Sequence, residues 1–439
     1  MTGGSPGSGF GSLTVGAASE PAHERLVADL FLCGLGCGAF YRPFDALQTA
    51  DFSSRGPTAD GRFDPDITAN GAWLWAQGTC EGNPGCSSAP LSFVSGTSFS
   101  APTAAGAAAL LRHAAPWATA AQIRNALIAG ANPRLLADGS KRIDQGRGFL
   151  DVPAALAKLR SGRVSSMIER SFPTTVVQWN IGALGFRPVN FRGDTFSTHV
   201  PRLKPGEVAQ FFVPADMWTD QFVVKFSNIT PELPPEQQNP FFGDDLLVRI
   251  ADAPTSTWSS PCALSSAGTC EAYINSDQAI TIDKPQTGLV RVAVQGDWTN
   301  AGKVSADLVI ERTRNGQGRP TAIGRVQQDD LIPVQVEIPA GTTQAVFELA
   351  WVGNWGRYPT NDLDMYLLDP NTGSEPNDEG ATAASPERVV IDNPLAGVWT
   401  VQVQGFSVQS LHGDPERATD EYALRVTADG QRLPAVQTH

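Results

Sequence analysis

The chain has 439 residues, 41% of them hydrophobic, and its 32 Lys and Arg against 45 Asp and Glu give a net charge of −13. That length accommodates about three domains with packed cores, and an acidic chain with no basic run is a poor partner for nucleic acid. No stretch of 18 apolar residues occurs, so no helical membrane span is expected.

In chain order, the first informative residues are cysteines. The six fall into three local pairs, Cys33 with Cys37, Cys80 with Cys86 and Cys262 with Cys270. Short loops bracketed by Gly, Pro and Ser read as surface disulfides, and with them as an oxidising, extracellular compartment. A metal site built from the first four is the rival reading, but the spacings are irregular for zinc and no histidine stands close by. His23, in the polar context EPAHERLV, is the only histidine before residue 98.

Residues 50–57 read ADFSSRGP and residues 63–71 read FDPDITANG. Residues 95–102 follow with SGTSFSAP and lead into the small-residue run TAAGAAALL at 103–111. A serine behind a Gly-Thr turn at the start of an Ala-rich helix is built to be a nucleophile. Backbone N–H groups of the first turn are unpaired there and are available to an oxyanion. Pro102 is expected within the first turn, where its missing N–H removes no helical bond, and the alanines are expected to carry the helix through a crowded interior. Thr119 and Gln122 form a capping box ahead of Ile123, Ala126, Leu127 and Ile128, which repeat at helical spacing. Gly130 and Pro133 end that helix. Residues 145–156 read QGRGFLDVPAAL, with a last short helix over 152–159.

The serine segment closely resembles the active-site motif of the subtilisin-like serine proteases. The FSSRGP and DPDI-A-G stretches resemble elements that precede the serine in that family, and the GRGFLD stretch resembles the element that closes its catalytic domain. Three ordered motifs within about 110 residues are a specific signal. The resemblance implies that Ser98 is the catalytic nucleophile, that Gly96 and Thr97 bind substrate, that the substrate is protein or peptide, and that the chemistry needs no cofactor. It also implies a triad in the order Asp, His, Ser, and neither an HGTxVA-like helix start nor a strand ending in Asp-Thr-Gly precedes Ser98. The opening residues resemble the stretch that follows the family's oxyanion asparagine. The expectation is therefore a C-terminal portion of the catalytic domain, essentially inactive alone, since loss of the histidine lowers subtilisin turnover about a millionfold. A missing segment supplied in trans is one alternative, and a non-catalytic secreted binding protein is another. Asn70 departs from the proline usual at its position.

Beyond a polar boundary at 161–166 the texture becomes short apolar segments, such as 209–213 and 221–226, separated by Pro, Gly and Asn clusters, which is all-β writing. Residues 280–296 (ITIDKPQTGLVRVAVQG) match 389–405 (VVIDNPLAGVWTVQVQG) at a constant offset of 109. Related strands lie upstream of each, at 244–252 and 362–369. Two copies of one antiparallel sandwich are expected, and they resemble the β domains appended to secreted subtilisin-like proteases. The fold expected overall is a subtilisin-like α/β portion over 1–160, a first β-sandwich over 167–313 and a second over 320–431, with 312–320 as linker. Asp244, Asp245, Asn361, Asp362 and Asp364 are candidate oxygen ligands for a structural Ca²⁺. Trp351, Trp355 and Tyr358 are candidates for an exposed docking surface, whereas Trp399, at an alternating position, belongs to the core.

Overall fold

A computed structural model describes residues 7, 9, 11–56, 62–77, 91–168, 181–182, 185–252, 269–314, 320–351, 361–371, 373, 380–382, 385–409 and 418–436. The N-terminal part is α/β. Strand β1 (Val15–Ser19) is followed by α1 (Pro21–Val27), a π turn at Ala28–Leu32, α2 (Gly38–Tyr41), β2 (Gln48–Thr49) and β3 (Ile67–Ala72). Strands β1 and β3 pair in parallel and β2 pairs antiparallel with β1, giving the order β2-β1-β3. A hairpin of β4 (Leu74–Gln77) and β5 (Leu91–Val94) leads to α3 (Thr97–Ala114), then α4 (Ala120–Gly130), α5 (Arg142–Gln145) and α6 (Val152–Arg160).

Small residues set how closely these elements approach. Ala104, Ala107 and Leu111 of α3 share one core with Val15, Ile67 and Ala69 of the sheet, and with Ile123, Leu127, Ala155 and Leu159 of α4 and α6. A Cβ on Gly130 would lie 2.5 Å from the backbone nitrogen of Ala155, so the α4–α6 crossing requires glycine there. The α4 capping box forms on both sides: Gln122 N–H donates to Thr119 Oγ1 and Thr119 N–H to Gln122 Oε1.

The remainder is antiparallel β structure in two copies. The first comprises β6 (Thr195–Leu203), β7 (Val208–Ala215), β8 (Thr219–Pro231), β9 (Leu246–Asp252), β10 (Thr269–Ile274), β11 (Gln278–Asp283), β12 (Gly288–Gly296) and β13 (Val304–Arg314). Its sheets run β10-β9-β12-β7 and β11-β8-β13-β6 across one core. The second comprises β14 (Ala322–Gln327), β15 (Leu331–Ile338), β16 (Gln344–Ala350), β17 (Asp362–Leu368), β18 (Glu387–Asp392), β19 (Gly397–Ser407), β20 (Thr419–Ala428) and β21 (Gln431–Arg432). Its sheets run β17-β19-β15 and β18-β16-β20-β14, with β21 on β20, around a separate core. Among the described residues the orders coincide apart from β10 and β21, which have no counterpart in the other copy, and the repeat read from sequence maps β11–β12 onto β18–β19. The connecting turns match in backbone as well: Lys284 and Asn393 have φ of 47° and 50°, and Gly288 and Gly397 have φ of 123° and 129°.

Two expectations are corrected here. Arg312 and Arg314, expected in the linker, lie in the last turns of the β13 ladder, where Arg312 N–H donates to Asp194 O. Trp351 is not a docking residue: it is 3% exposed, packs in the second core and donates its Nε1–H to Asn361 O at 2.8 Å. Trp355 and Tyr358 lie outside the described residues. Trp399 is buried in the core, as its alternation implies.

Candidate active site around Ser98

Strand β3 is where the three motifs meet. Its parent stretch FDPDITANG supplies the strand. The serine motif lies at its C-terminal end, where Gly96 N–H donates to Gly71 O at 2.8 Å and Trp73 N–H donates to Ser95 Oγ at 2.9 Å. The closing motif lies along its side, where Thr68 N–H donates to Gly148 O and Leu150 N–H to Thr68 O. Gly148, at φ 119°, passes so close to Asn132 that a Cβ would lie 2.3 Å from that residue's backbone. The FSSRGP stretch completes the frame: Ser53 Oγ accepts from Ala17 N–H of β1 at 3.0 Å.

Ser98 occupies the second position of α3 and is exposed to solvent. Gly96 is the N-cap, at φ 143°, a conformation that suits glycine. Phe99 N–H turns back to Gly96 O at 3.0 Å, which leaves the N–H groups of Thr97 and Ser98 without an intrahelical acceptor. Ser98 Oγ therefore stands beside two backbone donors at the positive end of an 18-residue helix. Gly71 makes the placement possible, because a Cβ there would lie 2.1 Å from Ser100 Oγ and 2.7 Å from Ala17 Cβ.

Pro102 stands differently from expectation. The helix begins at Thr97, so Pro102 lies inside it, beyond the first turn. Its missing N–H deprives the Ser98 carbonyl of an i+4 donor. The helix interior also differs. Ala104 and Ala107 are buried, but Ala101, Ala105, Gly106 and Ala109 are exposed, and Leu110 is 63% exposed. One face of α3 packs on β1 and β3 while the opposite, apolar face is open.

Among the described residues no histidine is hydrogen-bonded to Ser98. His23 lies in α1, 3.6 Å from Glu20. His113 is on α3 itself, fifteen positions on and so about 22 Å along the axis. His199 is paired with Asp307 on the first sandwich at 2.8 Å. Asn70, at the departure from the family pattern, has its Oδ1 buried without a hydrogen-bond partner. Burial, reinforced by Asp66, pushes the carboxyl of Asp64 up to about 6.

Sequence reasoning missed a charged pair that ties two of the motifs together. Arg55 of FSSRGP and Asp144, just before the closing motif, are both buried, with Nη1 2.9 Å from Oδ1. The available signal lay in Arg55 alone, a charge set between Ser53, Ser54 and Gly56; Asp144, flanked by Lys141, Arg142 and Arg147, gave none. Cys33 and Cys37 form a disulfide. Cys80, Cys86 and Cys262 lie outside the described residues, as does the side chain of Cys270. Among the described residues no group of three or more His, Cys, Asp or Glu able to hold a metal is present. The oxygens of Asp244 are taken by the N–H groups of Asn239, Ala301 and Gly302, and Asp364 accepts from the Tyr366 hydroxyl.

Comparison with known proteins adds the following. Residues 2–149 match the subtilase family (Peptidase_S8). A stretch of 98 residues is 33% identical to pyrolysin of Pyrococcus furiosus, covering 22% of this chain and 7% of pyrolysin. Among solved structures, tripeptidyl peptidase 2 is similar over 84% of this chain and 44% of its own, at 10% identity and a TM-score of 0.34. Fervidolysin from Fervidobacterium pennivorans, a keratinolytic enzyme related to subtilisin, is similar over 95% of this chain and 54% of its own, at 14% identity and a TM-score of 0.24. The chain thus spans a small part of pyrolysin and about half the length of these two structures.

Proposed function

On the match of residues 2–149 to the subtilase family, we propose that Ser98 is the nucleophile of a secreted serine endopeptidase acting on protein or peptide substrates. Ser98 Oγ attacks the scissile carbonyl to form an acyl-enzyme. A histidine accepts the hydroxyl proton and returns it to the leaving amine, and an aspartate holds that histidine. The Ser98 backbone N–H donates to the developing oxyanion, and Gly96 and Thr97 border the bound substrate. The observation that carries this reading is an exposed serine hydroxyl beside unpaired first-turn N–H groups, fixed by the close approach of Gly71.

The histidine and aspartate come from a segment packed beside Ser98, in this polypeptide or in a partner. The open apolar face of α3, formed by Ala101, Ala105, Ala109 and Leu110, supports that placement. The Cys33–Cys37 disulfide supports an oxidising, extracellular setting. The two β domains are appendages divided as the sequence repeat divides them, over 167–313 and 320–431.

Labelling with a fluorophosphonate tests the serine. The chain alone should label no faster than an ordinary surface serine. A segment bearing the two missing triad residues should bring both rapid labelling and peptide hydrolysis, and Ser98→Ala should abolish both. Ser98-dependent hydrolysis by the chain alone would overturn the separate supply of the base. Hydrolysis that survives Ser98→Ala would overturn the nucleophile.

A further inference from the structure

The α/β part rests on the outer face of the β10-β9-β12-β7 sheet, and between them lies a cavity of about 240 Å³. Side chains alternate along β12, so Val290, Val292 and Val294 enter the sandwich core while Arg291, Ala293 and Gln295 point the other way, into the junction. Arg291 is 3% exposed, and its Nε and Nη1 have no hydrogen-bond partner among the described residues. Gln295, four residues further along the same face, is also buried, with its Nε2 likewise unpartnered. Arg55 lines the same cavity from the FSSRGP loop, and its Nη2 is unpartnered as well.

The acidic groups nearby are already engaged. Asp51 and Glu271, which also line the cavity, are both bound by Arg249, through Nη2 at 3.3 Å and Nε at 2.7 Å. Asp144 is 2.9 Å from Arg55 Nη1, takes the Gln210 amide on the same oxygen and takes Lys141 N–H on the other. Two buried guanidinium groups therefore face one carboxylate, and three side chains present unpaired donors. Burial draws Arg291 down to about 10, with Arg55 adding to the fall and Asp144 opposing it. A buried charge without a partner is strongly unfavourable, and a fork of guanidinium N–H groups suits an oxoanion.

We propose that this cavity is a binding site for a small oxoanion, a carboxylate or a phosphate, held by Arg291, Arg55 and Gln295. Bound there, the anion joins the FSSRGP loop of the α/β part to strand β12 of the first sandwich and fixes the two against each other.

Isothermal titration of the whole chain with sodium phosphate, and separately with sodium acetate, at constant ionic strength in chloride tests the site. Saturable binding of one anion per chain is expected, together with a rise in the melting temperature that chloride does not give. Arg291→Met should weaken binding by about tenfold or more, the effect of losing a charge-assisted hydrogen bond. Arg325→Met, on the exposed surface of β14, should leave it unchanged. Tighter binding of phosphate identifies a tetrahedral ligand, and tighter binding of acetate a planar carboxylate. Should Arg291→Met fail to fold, Gln295→Leu removes one donor at similar volume and should also weaken binding. Neither anion binding to the wild-type chain, or equal binding after both substitutions, overturns the proposal.

Discussion

Gly71 and Glu387 show how single side chains, or their absence, carry the local energetics. At Gly71 the strand passes so near α3 that no side chain fits, and the serine turn is held in place by that contact. Glu387 opens β18 nearly fully buried and accepts N–H bonds from Met365 and Thr382. Burial, with a further contribution from Asp364 and against the Thr382 donors, pushes its carboxyl up to about 9. The native state therefore keeps a proton that the unfolded chain releases near 4.5. The stabilisation from this group is full below about pH 4.5 and is lost as pH rises toward 9, at no more than about 1.4 kcal/mol per pH unit. Urea titrations from pH 5 to 9 should show this decline in the wild type, and Glu387→Gln should make it shallower, most clearly above pH 7. Parallel pH dependence in the two proteins would count against the protonated state.

At the scale of the element, α4 was legible because its signals are local. Thr119 and Gln122 cap it and Gly130 ends it, so the residues that start and stop the helix lie within one turn of its ends. Thr119→Ala should lower stability by about 1 kcal/mol, read as a shift in chemical denaturation midpoint at unchanged slope. The third motif was equally readable: Asp151 Oδ1 caps α6 through Ala154 N–H at 2.8 Å. The start of α3 was not. Pro102 suggested a first-turn position, but the tie between Gly96 and Gly71 fixes where the helix begins, and that contact joins residues 25 apart. The candidate serine could be named from sequence, whereas its hydrogen-bonded frame could not.

Across the whole molecule, the two sandwich copies differ in what covers them. Leu289 and Val398 occupy the same place in the repeat, on the outer face of β12 and β19. Leu289 is fully buried with Ile181 and Phe212, while Val398 is 41% exposed. Leu289→Ala should destabilise the protein by about 2–5 kcal/mol, and Val398→Ala by about 0.5 kcal/mol or less. Thermal unfolding of both variants against the wild type measures the difference, and equal losses would contradict the assigned cover. The junction also explains the polar residues of β12: Arg291 and Gln295 are buried because the α/β part lies over them, whereas Gln404, the repeat partner of Gln295, is only half-buried.

By itself the sequence determined the serine motif and the two motifs around it, the helix cap of α4, and the repeat that makes two β domains of one kind. These follow from local sterics, from periodicity and from residues that a backbone conformation demands, all of which act within a few positions. Only the tertiary structure decided that one face of α3 is open, that Trp351 belongs to a core, and that Arg55, Asp144 and Arg291 meet at one junction. Alternation along a strand tells that two faces differ. Whether a face meets water or another domain depends on elements more than a hundred residues away, and no local pattern records them.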